Sequence, residues 1–142
     1  MTPNIRQALQ QGILAHNKGN LREAERLYRS VLKIYPKNPD VNHNLGLLAI
    51  AASKPDLAIP LFKVAFDANR NNEQFWISYI DALIKGKKFE RVKKLLRQAA
   101  KQGIGKSRFH ELYNRLGLSQ KAAGRLIEAQ ISLRKAISLS PD

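Results

Sequence analysis

The sequence predicts an all-α protein of four helical hairpins, about eight helices in all. A pair of small residues recurs with an internal spacing of twelve, as Gly12 with Ala24, Gly46 with Ala58, and Gly117 with Ala129. Because twelve residues cross a turn, the members of a pair should lie on facing helices that approach closely. Apolar residues recur at helical spacing, and strand patterns are absent. One such predicted buried stripe is Leu21, Ala24, Leu27, Tyr28, Val31 and Leu32.

The first two copies start near Ile5 and Pro39, 34 residues apart. They read ALQQGILAHNKGNLREAERLYRSVLKIYP and VNHNLGLLAIAASKPDLAIPLFKVAF. The dipeptides Gly19–Asn20 and Lys54–Pro55 mark the turns inside these hairpins. Pro55 suits a first helical turn, whereas Pro60 should remove one helical hydrogen bond and bend its helix slightly.

The third copy starts near Glu73 and reads FWISYIDALIKGKKFERVKKLLRQAA, with Gly86–Lys87 at its turn. It replaces both small residues, with Ile80 for glycine and Val92 for alanine. Larger side chains on both facing helices should spread this hairpin.

The fourth copy starts near His110 and reads LYNRLGLSQKAAGRLIEAQISLRKAISLSP. Three extra residues precede it, around Gly103, Gly105 and Ser107. We expect off-register stacking here, a hinge here if the array has one, and Ser107 as the N-cap of the next helix.

Over residues 5–142 the copies resemble the tetratricopeptide repeat family, whose 34-residue unit is a helix–turn–helix. The matching positions in copy two are Asn42, Leu45, Gly46, Ala49, Ala58, Phe62 and Ala65. Those in copy four are Tyr113, Leu116, Gly117, Gln120, Ala129, Leu133, Ala136 and Pro141. The resemblance implies a right-handed α-solenoid that binds proteins, a single domain with repeats near 5–38, 39–72, 73–106 and 110–142.

Composition limits the class of protein. The 142 residues include no cysteine, which excludes disulfides, thiolate chemistry and cysteine-ligated zinc. The opening residues lack a continuous apolar segment, so we predict no signal peptide. No segment approaches the roughly 18 apolar residues that indicate a membrane span. We therefore expect a soluble, cytoplasmic protein.

The chain stops where another repeat would normally begin. Terminal repeats usually need a polar outer face or a capping helix, yet Ile127 and Ile131 occupy outward positions that hold Arg22 and Arg26 in copy one. We expect a fragment of a longer protein, and the competing interpretation is self-association through this face.

Positive charge is concentrated in the third copy. The chain has 25 Lys and Arg against 11 Asp and Glu, a net charge of +14. An outer basic surface is predicted from Lys93, Lys94, Arg97 and Lys101, with a second row at Arg22, Arg26, Arg29 and Lys33. This surface would attract nucleic acid, an acidic protein or anionic lipid headgroups. The alternative is an ordinary solvated face, and no aromatic residues interleave to stack bases.

The resemblance also implies a concave surface, lined by the first helix of each hairpin, that holds the ligand. The inward positions are Arg6, Leu9, Ile13, His16, Asn17, Asp40, His43, Leu47, Ile50, Gln74, Ile77, Asp81, Ile84, Lys85, Glu111, Asn114, Leu118 and Lys121. Among them we predict an apolar floor of Leu9, Ile13, Leu47, Ile50, Ile77 and Ile84. Polar contacts that fix the position of the ligand along the groove, its polar register, would come from Asn44, Asp81, Lys85 and Asn114. Such a groove suits an amphipathic helix or an extended apolar peptide; alternatively, these side chains pack between neighbouring helices.

Two variants of the family can be compared residue by residue. Relatives that bind acidic chaperone tails place Lys and Asn where this chain has Leu9 and Ile13, so that function is not expected. Asn44 stands where another relative, the O-linked N-acetylglucosamine transferase, has an asparagine ladder. The other copies carry Gln10, Ser78 and Arg115 at this position, which makes a polar row but no ladder.

The sequence thus predicts a non-catalytic protein–protein interaction scaffold without cofactor or metal. His16, His43 and His110 lie on separate copies, and GIGKS at residues 103–107 is too short for a phosphate loop. One alternative is a substrate-docking module of a larger glycosyl-, sulfo- or methyltransferase. The chain resembles N-terminal repeat segments of such bacterial proteins in NLREAERLYRSVLKIYPKNPD and FWISYIDALIKGKKF. The other alternative is a nucleic-acid contact through the basic surface.

Overall fold

The computed structural model describes residues 4–140, and over this range helices are the only regular secondary structure. The α-helices are α1 (Ile5–Asn17), α2 (Leu21–Ile34), α3 (Pro39–Ala51), α4 (Pro55–Ala68), α5 (Glu73–Lys85), α6 (Phe89–Gln102), α7 (His110–Ala122) and α8 (Leu126–Leu139). A 3₁₀-helix, Lys106–Phe109, precedes α7. The predicted all-α class and four hairpins are confirmed. Pro141 and Asp142, which end the fourth predicted copy, lie outside the described residues.

Asparagine is the N-cap residue of four of the helices, a feature on which the comparison of the four copies did not rely. Asn4, Asn20, Asn38 and Asn72 each accept a hydrogen bond from a backbone N–H in the first turn. Such a bond satisfies a donor that has no partner within the helix. Ser107, which the sequence suggested as the N-cap of α7, lies inside the 3₁₀-helix instead, and α7 begins after Phe109 without a side-chain cap.

The turns inside the hairpins share one left-handed position. Gly19 and Gly124 take it with φ of 80°, whereas Ser53 and Lys87 take it with φ of 58° and 60°. Gly86 and Lys87 lie at the third turn as predicted, and Lys87 takes the left-handed position, since φ of Gly86 is −82°. Position in the repeat, rather than the presence of glycine, therefore fixes this conformation.

The chain divides into two compact units, one ending at Arg70 and the other starting at Asn71. The first contains α1–α4 and the second α5–α8 with the 3₁₀-helix. Within the first unit, a buried cluster joins α2 to α3 through Ala24, Tyr28, Val31, Val41, Leu45 and Leu48.

The repeated glycines let aromatic or branched side chains lie against the first helix of each hairpin. A Cβ on Gly12 would lie 2.7 Å from Tyr28 Cε1, and one on Gly117 would lie 2.6 Å from Leu133 Cγ. The close approach of the facing helices is thus confirmed. The side chain that fills the space comes sixteen residues after the glycine, rather than the alanine twelve residues after it.

The third hairpin is the open one, as Ile80 and Val92 predict. Both side chains are completely buried. Close backbone approaches between α5 and α6 are sparse compared with those in the other three hairpins, which confirms that the larger side chains spread this pair. The predicted positions of the two prolines are also confirmed, with Pro55 in the first turn of α4 and Pro60 inside that helix. Leu21 departs from the predicted buried stripe of α2, since it is exposed.

Candidate functional site

The position that follows the repeated glycine presents aliphatic side chains on three of the four odd-numbered helices. Ile13 on α1 is 39% exposed, Leu47 on α3 is 37% exposed, and Leu118 on α7 is 53% exposed. The same position on α5 holds Asp81. Exposed aliphatic residues at a repeated position are more informative than scattered ones, because single exposed leucines are normal on protein surfaces.

In the first unit, the remaining predicted groove residues are more enclosed than Ile13 and Leu47. Leu9 packs against the core cluster, and Ile50 is half-buried. Asn44 is also half-buried. Hydrogen bonding by its side chain acts on the pKa of Tyr28 and of His43.

Tyr28 and His43 are polar groups inside the first unit. Burial raises the pKa of Tyr28, while the hydrogen bond from Asn44 lowers it. The Tyr28 hydroxyl also lies 3.3 Å from His16 Nδ1. Burial lowers the pKa of His43, against the opposing effects of the Asp40 charge and the Asn44 hydrogen bond. The His43 ring lies against Phe62, with ring centroids 5.3 Å apart.

In the second unit, Asp81 is the centre of a charged network that joins α5 to α7. Its carboxylate pairs with Lys85 on the same helix and accepts a hydrogen bond of 3.0 Å from Arg115 Nη1 on α7. Arg115 also lies 3.4 Å from Glu111. The predicted polar register at Asp81 and Lys85 is therefore already occupied by protein charges.

The other predicted groove residues of the second unit differ in exposure. Ile84 is only 3% exposed and so presents no surface to a ligand, which removes it from the predicted apolar floor. Ile77 is half-buried, and Asn114 is exposed. Local periodicity could not separate Ile84 from Ile77, because both fall on the same side of α5.

The basic surface predicted on α6 is partly neutralised. Lys93 Nζ lies 2.9 Å from Glu128 on α8 and 3.0 Å from Glu90 on its own helix. These carboxylates raise the pKa of Lys93, with Glu128 contributing most. Lys94, Arg97 and Lys101 are exposed, and no ion pair joins any of them to a residue within 4–140.

In the second basic row, on α2, two of the four residues are ion-paired. Arg26 pairs with Glu23, and Arg29 pairs with Glu25 at 3.0 Å. Exposed ion pairs of this kind contribute little to stability. This row therefore offers less free positive charge than its sequence suggests.

The described residues give no sign of a metal centre or a membrane span. Between residues 4 and 140, no three His, Cys, Asp or Glu side chains come together as metal ligands would. None of the helices in that range combines the length and apolar character needed to cross a bilayer.

Two family models, both described as tetratricopeptide repeat, match the chain. One covers residues 49–116, and the other covers residues 8–38 and 110–142. The chain belongs to the tetratricopeptide repeat family. The fold class expected from the resemblance, an α-solenoid of tetratricopeptide hairpins, is confirmed by the matching solved structures.

Several solved structures are similar to this tetratricopeptide protein. MamA AMB-1 C2221 is 26% identical with a TM-score of 0.80, and the match covers 96% of this chain and 79% of that one. MamA MSR-1 C2 is 24% identical with a TM-score of 0.82, covering 96% and 77%. YrrB, described as a TPR protein with an unusual peptide-binding site, is 19% identical with a TM-score of 0.82, covering 98% and 70%. No curated protein sequence matches the chain.

Sequence reasoning missed one feature of the tetratricopeptide fold in this chain. An apolar groove of about 400 Å³ lies in the second unit, between α6 and α8. The exposed Ile131 that the sequence assigned to a self-association face is part of its lining. The signals that could have indicated it were the large residues Ile80 and Val92 and the insertion at residues 103–107, which alter the packing around α6.

Proposed function

We propose that the protein is a non-catalytic scaffold that binds peptide segments of partner proteins on its odd-numbered helices. Tetratricopeptide proteins are generally interaction scaffolds, and YrrB, which has the same fold, is itself described with a peptide-binding site. The observation that carries the proposal is the repeated exposed aliphatic position, represented by Ile13 and Leu47 in the first unit and Leu118 in the second.

The chemistry of these residues indicates the kind of peptide. Ile13 and Leu47 offer apolar contact without a charge, and the charged network of Asp81, Lys85 and Arg115 is confined to α5 and α7. An apolar or amphipathic peptide therefore suits the first unit better than an acidic tail. Peptide recognition by helical grooves commonly uses such apolar anchors.

The experiment is a peptide selection followed by titration. Peptides selected from a random displayed library on the intact chain are labelled and titrated by fluorescence anisotropy against the chain and an Ile13→Glu, Leu47→Glu variant. We expect the double variant to lose at least about tenfold in affinity, since each carboxylate would have to be desolvated beneath an apolar anchor. Its helicity, measured by circular dichroism, should not change, because both side chains are exposed.

The chain offers two matched controls. Leu57 is an exposed leucine of the same unit that lies on an even-numbered helix, α4, so Leu57→Glu should retain the selected peptides. A Lys93→Glu, Arg97→Glu, Lys101→Glu variant should also leave binding nearly unchanged. Equal affinity in the wild-type chain and the Ile13→Glu, Leu47→Glu variant would contradict the proposal.

We also retain four hypotheses for this chain: docking for a larger transferase, contact with a polyanion through the basic surface, self-association through Ile127 and Ile131, and a cytoplasmic location.

A further inference from the structure

The groove between α6 and α8 is continuous with a smaller cavity of about 200 Å³ that reaches the inserted loop. The two cavities share Leu96, Ala100, Tyr113 and Lys135 in their linings. Leu116 forms part of the floor of the larger one, and Ile131 forms part of its wall. The larger cavity alone, at about 400 Å³, falls within the range of about 300–1,000 Å³ that is typical of ligand pockets. It can therefore hold more than one side chain.

The groove follows from the way the second unit is packed. Its one closely packed helix pair is α7 with α8, whereas α5 approaches both α6 and α7 more sparsely. The buried side chains of Ile80 and Val92 widen the spacing between α5 and α6, and the inserted 3₁₀-helix packs against α7 and α8. Few close backbone approaches join α6 to α8, and the apolar side chains between them are not covered by any described residue.

The charged residues that line the groove are three bases, Lys93, Arg97 and Lys135, and one acid, Glu128. Residues 71–140 contain fifteen Lys and Arg but only five Asp and Glu. Each of those five acids already takes part in an ion pair: Glu73, Asp81, Glu90, Glu111 and Glu128. Arg97 and Lys135, which line the groove, have no acidic partner within residues 4–140. Their charge is therefore available to an anionic group of a partner.

We propose that this groove docks an acidic amphipathic helix of a partner protein. Its apolar side chains would lie between Leu96 and Ile131, and its carboxylates would face Arg97 and Lys135. Charge complementarity selects this occupant, because opposite potentials steer association and fix register. A second copy of the chain carries its own charge of +14 and would bring like charges together. A nucleic acid supplies the negative charge but no aliphatic side chains to fill the groove.

The proposal concerns a site different from the one on the odd-numbered helices, and a designed probe tests it. The probe is a labelled 18-residue helix-forming peptide with leucines on one face and glutamates beside them. A second peptide of the same composition has the leucines and glutamates shuffled, so that its charge is kept and its apolar face is lost. We expect the intact chain to bind the amphipathic peptide at least about tenfold more tightly than the shuffled one.

Two pairs of variants locate the binding site. Ile131→Glu places a carboxylate in the groove, whereas Ile127→Glu changes an exposed residue one turn away on α8 that does not line it. Arg97→Glu reverses a charge at the groove, whereas Lys94→Glu reverses one elsewhere on α6. The first member of each pair should weaken binding of the amphipathic peptide by about tenfold or more, and the second by less than about threefold.

Three results would overturn the proposal. The first is equal weakening by both members of a pair, and the second is equal affinity for the amphipathic and shuffled peptides. The third is a different occupant of the groove. A nucleic acid would be indicated if a single-stranded oligonucleotide bound more tightly than the peptide and its affinity were unchanged by Ile131→Glu. A second copy of the chain would be indicated if sedimentation showed a dimer that the same variant loses. The Ile13→Glu, Leu47→Glu variant should bind this probe normally, so failure here is distinguishable from failure of the peptide site on the odd-numbered helices.

Discussion

Gly46 lies directly against the ring of Phe62, so closely that a Cβ on Gly46 would lie 2.3 Å from Phe62 Cε1. Phe62 is almost completely buried, so its ring has no solvent to move into. This contact holds α3 to α4 and depends on the absence of a side chain at residue 46.

Replacing this glycine should therefore destabilise the first unit. We expect Gly46→Ala to lower the free energy of unfolding by about 1–3 kcal/mol, because overpacking exceeds the gain in helix propensity. Denaturation followed by circular dichroism measures the change. The Gly46→Ala, Phe62→Leu double variant should lose less than the sum of the single changes, as Ile80 and Leu96 coexist at the same positions of the third hairpin. Strict additivity would show that the contact is not the cause.

The shared left-handed turn position predicts opposite effects for two reciprocal substitutions. Ser53 and Gly19 occupy the same position with positive φ, which is costly for any residue with a Cβ. We expect Ser53→Gly to raise the free energy of unfolding by about 0.5–1 kcal/mol and Gly19→Ser to lower it by about 1 kcal/mol. Thermal melts of both variants test this, and changes of the same sign would contradict it.

The asparagine caps should differ in strength according to their geometry. Asn38 Oδ1 accepts from the Val41 N–H at 3.1 Å, whereas Asn20 Oδ1 accepts from the Glu23 N–H at 3.5 Å. We expect Asn38→Ala to cost about 1 kcal/mol of unfolding free energy and Asn20→Ala clearly less. Urea denaturation of the two variants makes the comparison. A larger loss for Asn20→Ala would show that factors other than these hydrogen bonds dominate.

Pro60 should weaken α4, so its replacement should be stabilising. It is exposed and lies inside the helix, where its ring removes one backbone hydrogen bond. We expect Pro60→Ala to raise the free energy of unfolding by about 1–3 kcal/mol. The matched change Pro55→Ala, in the first turn, should have little effect, since no helical bond is lost there. An unchanged or lower melting temperature for Pro60→Ala would refute the expectation.

The buried His43 predicts a decline in stability below neutral pH. Because burial lowers the pKa of His43 below its usual value of 6.5, the unfolded chain binds more protons than the folded one just below that pH. The contribution of the neutral His43 ring to the free energy of unfolding is thus fully present above pH 6.5. This contribution is lost as the pH falls toward the pKa of His43 in the folded state. The carboxylates Asp67 and Glu128, whose pKa values are also lowered, titrate in a more acidic range.

Urea midpoints at pH 7.5 and 5.5 measure this dependence. The wild-type protein should be less stable at the lower pH, and a His43→Gln variant should show a flatter profile. A profile that keeps its full slope in His43→Gln would assign the effect to other groups.

The repeated pairs Gly12 with Ala24, Gly46 with Ala58 and Gly117 with Ala129 determined the helical hairpins, because these features depend on short-range periodicity. The same local reasoning anticipated the wider third hairpin, since the volumes of Ile80 and Val92 are properties of the side chains themselves. It could not identify the N-cap of α7, because the insertion at residues 103–107 can be accommodated by several backbone paths.

Only the tertiary structure decided which of these side chains are accessible. The sequence assigned both Ile13 and Ile84 to the apolar floor of the groove, yet the first is exposed and the second is buried. The sequence likewise assigned both Lys93 and Arg97 to the outer basic surface, yet only Lys93 lies between two carboxylates. Burial and ion pairing depend on residues from other helices, and the α6–α8 groove depends on how far apart two helices stand. Helical periodicity specifies the face of a helix on which a residue lies, whereas the packing of the helices determines what that face meets.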